Sequence, residues 1–487
     1  MKKQLGVLCH VSSLPSEYGV GDFGNSAKNF IDFLSQNNIN IWQILPLNKT
    51  NKYNCPYAST CYFSYDEMFV DLNQLSEEGK ISQDDLLEIK NFSNTKKVDY
   101  DAIKKIKNKL FEKAYKNITQ QDITQLKQFL QNNNHYFYYA YFRALLKVFK
   151  TQNWRDIDKS FWDKNSKSAQ EFISQNSDLI YKYGYYQFVL DGQWQKIRKY
   201  ANQKGVKILG DIPIYPAPNS FDVFNNLECY LLDKNTYNPL VFGGVPKDEF
   251  CEVGQNWGTC VYDWKHLEKT QYKYIIEKIN LTLQKYDILR LDHFFGYVEH
   301  YEHSATKNGE GQWVKGGGKP LFDLISKNCN IANLVVEDLG FSKQQVEQLK
   351  KQFNLRGMCV VQMIMESNEN IKYLPQNVPE NCIYYLGTHD NNTFMGYLKS
   401  LDKTQKNKLC KLINIKYQCN KKLHIKCMQK MLESKSELVV FQIQDLLLQG
   451  EKFRMNIPGK AAHCWEYKVP KNYAKKVQKT LSKISWK

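Results

Sequence analysis

Four acidic positions in this 487-residue chain stand where chemistry could be done. Asp211, Asp292 and Glu337 lie at or near the ends of short apolar runs, and His389-Asp390 follow another. Arg290 sits two residues before Asp292, in a chain with only six arginines. Like charges gathered in one pocket cost free energy unless function or a counter-ion requires them. A guanidinium beside one carboxylate would keep it ionised, as a nucleophile must be. A second carboxyl that holds its proton near neutral pH could serve a leaving oxygen. This pairing suits glycoside cleavage, in which retaining enzymes set the two carboxyls about 5–5.5 Å apart. Neighbouring strands lie about 4.8 Å apart, so residues ending adjacent strands meet that geometry without distortion.

The elements that must position these groups are legible as eight apolar, β-branched runs: 5–10, 41–47, 206–215, 287–292, 334–338, 359–363, 382–386 and 438–442. Segments of helical period lie between most of them, such as 26–36, 194–203, 272–285 and 343–352. Strands buried on both faces read as near-continuous hydrophobic runs. The pattern predicts an α/β fold, a (β/α)₈ TIM barrel whose active site sits at the C-terminal strand ends. Residues 1–74 would supply strands one and two with their rim, and 181–487 strands three to eight. Between them, 75–180 reads as a mainly helical insertion, longer than any single crossover requires. The aromatic run 135–149 within it reads as helix core rather than a sugar platform. A smaller insertion at about 216–265, with Gly243-Gly244-Val245-Pro246, reads as loop-rich and mobile. The lysine-rich stretch 403–435 reads as exposed helix, and no C-terminal β-sandwich domain is expected.

Composition narrows the function classes. Hydrophobic residues at 42% and aromatics at 14% exclude a disordered chain. The net charge of +17 invites a nucleic-acid reading, yet nearly all of it is lysine. Nucleic-acid readers favour arginine for bidentate contacts, so the lysines read as solvated faces and no nucleic-acid partner is expected. No apolar stretch approaches the ~20 residues of a membrane span, so no membrane partner is expected either. The start faintly mimics a signal peptide, but its apolar run is broken by His10 and no small-residue cleavage site follows. Thirteen cysteines without any C-x-x-C pair read as reduced thiols, pointing to a cytoplasmic protein.

Taken in order, the polar blocks resemble the 4-α-glucanotransferases known as amylomaltase or disproportionating enzyme, glycoside hydrolase family 77. The resemblance runs from Gly6-Val7-Leu8-Cys9-His10, Ser13-Leu14-Pro15 and Gly19-Val20-Gly21-Asp22-Phe23-Gly24 through Trp42-Gln43-Ile44-Leu45-Pro46-Leu47 and Pro56-Tyr57-Ala58-Ser59. It continues in Gly210-Asp211-Ile212-Pro213-Ile214-Tyr215, Arg290-Leu291-Asp292-His293-Phe294, Glu337-Asp338-Leu339-Gly340 and Gly387-Thr388-His389-Asp390-Asn391. Gln444-Asp445-Leu446-Leu447 and Arg454-Met455-Asn456-Ile457-Pro458-Gly459 close it.

The resemblance implies Asp292 as nucleophile, Glu337 as general acid and base, and Asp390 as the holder of the sugar's 2- and 3-hydroxyls. It implies that Arg290 orients Asp292, and that His389, Asp211, Tyr57, Ser59 and Asn456 contact substrate. Trp257 would add an aromatic face, with Glu252 and Gln255 on a loop over the donor site. It further implies α-1,4-glucans and maltooligosaccharides as substrates, glucose as an acceptor, and no metal or organic cofactor. The chain departs from the family pattern at Phe224, Glu249, Thr259-Cys260, Phe295 and Cys464. Two other classes remain at this stage: a hydrolase of the α-amylase class and a catalytically weak glucan-binding protein.

Overall fold

The computed structural model describes residues 3–246, 254–306, 311–340, 344–366, 368–460 and 462–485. Its strands, in chain order, are β1 (Gln4–Leu8), β2 (Ile41–Gln43), β3 (Lys207–Ile212), β4 (Val241–Val245), β5 (Gln255–Cys260) and β6 (Ile288–Leu291). They continue with β7 (Glu299–Ser304), β8 (Gly311–Lys315), β9 (Leu334–Val336), β10 (Gly357–Val360), β11 (Cys382–Tyr385) and β12 (Leu438–Gln442).

Eight of these form one parallel sheet in the order β10-β11-β12-β1-β2-β3-β6-β9. The two edges meet through a parallel bridge between Val335 and Arg356, with Val336 N–H donating to the Arg356 carbonyl at 2.9 Å. The expected TIM barrel is therefore present. Its strands are short and apolar because both faces are covered: every residue of β11 and β12 is buried. Some of the few polar groups inside pair with one another, as where Tyr385 Oη donates to Gln43 Oε1 at 2.9 Å. The surrounding helices follow from a period near 3.6; Asn25–Gln36 buries Ala27, Phe30, Ile31 and Leu34 against the sheet.

The sixth strand begins and ends earlier than its apolar run suggests. β10 covers Gly357–Val360, and the apolar residues beyond it coil into a 3₁₀ segment, Val361–Met365. Burial continues across that change, so hydrophobicity alone does not mark the strand end.

The segment 216–265 is not the loop-rich insertion expected. It carries β4 and β5, which join β7 and β8 in a four-stranded antiparallel sheet ordered β5-β4-β7-β8. Gly244, read as part of a mobile loop, pairs with Tyr301 and Asn256 inside that sheet. A Cβ there would lie 2.0 Å from the Gln255 carbonyl oxygen, so only glycine lets β4 and β5 approach. Residues 247–253 lie outside the described residues, and with them Glu249 and Glu252.

Between β2 and β3 the chain is mainly helical, with Tyr100–Lys116, Gln120–Asn132, Asn134–Val148 and the long Ser177–Gln203. Thr119 and Asp122 start the second of these with a reciprocal capping box. The aromatic run is indeed core, with Tyr136, Tyr139, Tyr141 and Phe142 buried. Two helices tie back to the barrel rim: Lys104 Nζ donates to Thr50 Oγ1 and Asn54 Oδ1 at 2.8 Å, and Arg143 Nη1 to Glu67 Oε1 at 2.7 Å. The lysine-rich stretch forms Lys403–Leu412 and Asn420–Glu433, whose inner faces bury Leu409, Cys410, Leu423, Met428 and Met431. The twelve described cysteines are all free thiols. No helix among the described residues is long and apolar enough to cross a membrane.

Candidate active site

The acidic groups meet at the C-terminal ends of β3, β6, β9 and β11. Strand register explains the first pair: Asp211 of β3 lies directly beside Arg290 of β6. Arg290 is nearly sealed, its side chain 4% exposed, and it spends one nitrogen on two carboxylates. Nη1 donates to Asp211 Oδ1 and Oδ2 at 2.9 and 2.8 Å, and to Asp292 Oδ1 at 2.8 Å. Residues i and i+2 of a strand share a face, which is why Arg290 reaches Asp292. A guanidinium suits this role because its charge persists when buried.

Leu291 pairs with Val336, so Asp292 and Glu337 leave adjacent strands together. Glu337 Oε2 accepts the His293 backbone N–H at 3.0 Å, and Oε1 accepts that of Leu339 at 3.0 Å. Burial is the largest influence on the Glu337 carboxyl. Arg290 opposes it and Asp292 adds to it, leaving the group pushed up to about 7. His293 itself has a φ of 48°, a left-handed conformation that turns the chain sharply after Asp292. Burial pulls its imidazole down to about 4, so the ring is neutral.

Asp390 stands across the cleft on the segment after β11. Asn456 Nδ2 donates to its Oδ1 at 2.6 Å, and His389 Nε2 lies 3.2 Å from Oδ2. Burial would raise this carboxyl, but His389, Asn456 and Arg290 together hold it well below the usual carboxylate range. Arg454 Nη2 fixes the backbone by donating to the Asp390 carbonyl at 2.9 Å. Farther along the segment, Asp445 Oδ1 accepts the Phe394 N–H at 2.7 Å, which makes Asp445 an anchor for the start of Phe394–Ser400.

Tyr57 closes the ring of polar groups. Its hydroxyl donates to Asp211 Oδ2 at 2.7 Å, and its ring stacks on His389 with centroids 5.0 Å apart and planes at 6°. Ser59 is buried nearby and its hydroxyl has no partner among the described residues. Trp465, at a φ of 68°, packs 6.0 Å from both Tyr57 and His389. Trp257 approaches from β5 and remains 36% exposed. Its ring meets His293 edge to face at 4.8 Å, and its Nε1 donates to Gln255 Oε1 at 3.4 Å. Phe295, at the first departure beyond His293-Phe294, is buried with its ring 5.4 Å from Trp313.

The structure thus brings together Asp211, Arg290, Asp292, His389, Asp390, Tyr57 and Asn456 through direct contacts, and Glu337 joins them through the His293 backbone. Trp257 and Gln255 join them through His293. Sequence reasoning passed over His293, Arg454 and Trp465 as site components. The scarcity of arginine was a usable signal for Arg454.

Glu337 and the guanidinium-bound Asp292 thus leave neighbouring barrel strands. The family described as 4-alpha-glucanotransferase, glycoside hydrolase family 77, matches residues 9–473. The chain belongs to that family. It is 33% identical to the 4-alpha-glucanotransferase of Clostridium butyricum over 468 residues, covering 95% of this chain and 96% of that one. The Aquifex aeolicus 4-alpha-glucanotransferase is 33% identical over 476 residues, 97% and 96% of the two chains. Among solved structures, the amylomaltase of Streptococcus agalactiae in complex with acarbose superposes with a TM-score of 0.92 at 29% identity, covering 98% of each chain. Amylomaltase from Corynebacterium glutamicum shares the fold, with a TM-score of 0.80 at 15% identity over 100% of this chain and 75% of that one. The α-amylase-class hydrolase reading is not favoured, and as a member of this family the protein is a glucanotransferase enzyme.

Proposed function

We propose that the protein transfers segments of α-1,4-glucans and maltooligosaccharides to the 4-hydroxyl of another glucan or of glucose by a retaining double displacement. In the first half, an Asp292 oxygen attacks the anomeric carbon while Glu337 gives its proton to the departing glycosidic oxygen. In the second half, Glu337 takes the proton of the acceptor's hydroxyl, whose oxygen displaces Asp292. Two inversions restore the α-configuration.

The observation that carries this reading is the contrast between two neighbouring carboxyls. Glu337 is pushed up to about 7, while Asp292 is bound by Arg290. An enzyme needs one proton-bearing and one charged carboxyl here; burial favours the proton on Glu337, and Arg290 is the counter-charge placed against Asp292. Asp390, braced by Asn456 and His389, would hold the 2- and 3-hydroxyls of the sugar being transferred. Asp211, Tyr57, Ser59, His389 and Asn456 would be contacts for the same sugar. Trp257 and Gln255 would cover the glycosyl-enzyme, and Glu252, outside the described residues, is a further candidate substrate ligand. Water then reaches the anomeric carbon less often than a bound acceptor does.

The helical segment 75–180 acts in this account as a brace for the rim, through Lys104 and Arg143. Free thiols fit a reducing cytoplasm, where glycogen- or starch-derived maltodextrins would be the substrates. The test is to incubate the purified protein with maltotriose alone and separate products by length. A ladder of longer chains together with glucose is expected. Maltose and glucose without longer chains would mean hydrolysis.

A further inference from the structure

Lys278, on the helix Lys273–Leu283, is only 4% exposed, yet it lies beneath the strand end that carries Asp211. An ammonium group has three N–H donors, and all three are used. Nζ donates to the carbonyls of Pro213 and Ile214 at 2.8 and 3.0 Å, and to Tyr262 Oη at 2.9 Å. Tyr262, fully buried, donates its own proton to the Ile214 carbonyl. Two acceptors therefore belong to the chain just past Asp211, and the third to the chain just past β5, which bears Gln255 and Trp257. Beyond the end of β3, carbonyls 213 and 214 have left the ladder, and buried carbonyls must find donors elsewhere.

Neighbouring bonds tie the chain past Asp211 to the third contact-bearing segment. Asp222, 2% exposed, accepts the Tyr62 backbone N–H on both oxygens at 3.3 Å. The Ala217 and Phe221 amides donate to the carbonyls of Ser59 and Thr60 at 3.1 and 2.8 Å. The Cys260 amide donates to the Pro216 carbonyl at 2.9 Å. Burial draws the Lys278 ammonium down to about 8, with Asp222 and Asp292 acting to keep it charged. A cation with every donor committed to backbone and one phenol has none to spare for a ligand. Its effect must pass through the segments it holds.

We propose that Lys278 is a positioning residue that fixes the Trp257-bearing arm against the Asp211 segment, and so sets how the glycosyl-enzyme is divided between sugar acceptor and water. This rests on the reading that the arm covers the donor site. Transfer between glucans leaves the number of reducing ends unchanged, whereas each hydrolysis adds one. The hydrolysed share is therefore read directly from maltotriose by reducing-end assay beside chain-length separation.

Lys278→Met keeps the stem and removes the donors. Its hydrolysed share should rise about fivefold, as the cover over the anomeric carbon loosens. Tyr262→Phe leaves the cation and its two backbone acceptors in place. It should raise the share about twofold, and it carries the test if Lys278→Met does not fold. Lys107→Met is the matched control, a fully buried lysine holding the carbonyls of Met68 and Val70. It should lower the melting temperature and leave the share unchanged. A slower Lys278→Met or Tyr262→Phe with the wild-type share would overturn the proposal, as would an equal rise in Lys107→Met. Wild type forming no longer chains would overturn the transfer reading and this proposal with it. Longer chains with an unmoved share overturn this proposal alone.

Discussion

Glu337 accepts the backbone N–H of His293, the residue that follows Asp292, at 3.0 Å. The acid is thereby held to the same peptide segment as the nucleophile, and its burial lifts it to about 7. Glu337 carries its proton below that value and loses it above. The acid-dependent half of the reaction should therefore slow as pH rises through about 7, giving kcat/KM a basic limb there. Glu337→Gln should remove the limb and cost about a thousandfold on natural donors. A profile flat to pH 9 in the wild type would count against this assignment.

Arg290 opposes the burial of Glu337 and binds Asp211 and Asp292 at once. Arg290→Gln should lower kcat by about two to three orders of magnitude, the size of losing a preorganised charged donor. With its cation gone, Glu337 should rise further, and the residual activity should show its basic limb at higher pH. A limb that moves down would contradict the arrangement.

Tyr57 has two separable contacts, the hydroxyl on Asp211 and the ring on His389. Tyr57→Phe removes only the first. A hydrogen bond to a charged group contributes about 1.5–3 kcal/mol to stability, so the melting temperature should fall by a few degrees, and kcat/KM should fall about tenfold or more as Asp211 loses a fixed partner. Tyr57→Ala should cost more than Tyr57→Phe, since the stack is lost as well. Equal losses would show that the stack contributes nothing.

The barrel was legible because parallel strands covered on both faces leave apolar runs, and their last residues carried the acidic groups. The sheet β5-β4-β7-β8 was not legible, for the opposite reason. Its sequences, such as QNWGTC and EHYEHS, have no apolar run, and its glycines resemble loop composition. Gly244 is there to let two strands meet, a demand visible only once both are placed. The end of β10 was also hidden, since Val361 and Ile364 stay buried after the strand becomes a 3₁₀ turn. His293 was overlooked because its contribution is a backbone N–H and an unusual φ, neither of which its residue type announces.

Asp445 gives a stability test independent of activity. It is fully buried, accepts the Phe394 N–H, and burial pushes its carboxyl up to about 7. A carboxyl raised on folding contributes stability that is complete below its unfolded value and is lost as pH rises through the folded one. Measured against a variant that cannot ionise there, the wild type should therefore lose stability between about pH 4 and 7, where the displacement is worth roughly 4 kcal/mol. Asp445→Asn retains an acceptor for Phe394 and cannot ionise, so the melting temperature of the wild type minus that of the variant should fall across this range. A constant difference would show that Asp445 does not titrate there.

The central claim is that Asp292 becomes covalently bonded to the glucan while Glu337 manages the proton. It is tested most directly with Glu337→Gln and a maltosyl fluoride, whose leaving group needs no acid. Without a base to activate the acceptor, the enzyme should accumulate the mass of a maltosyl group, with peptide mapping placing it on Asp292. Unmodified enzyme after turnover of the fluoride, or attachment at Asp211 or Asp390, would contradict the account.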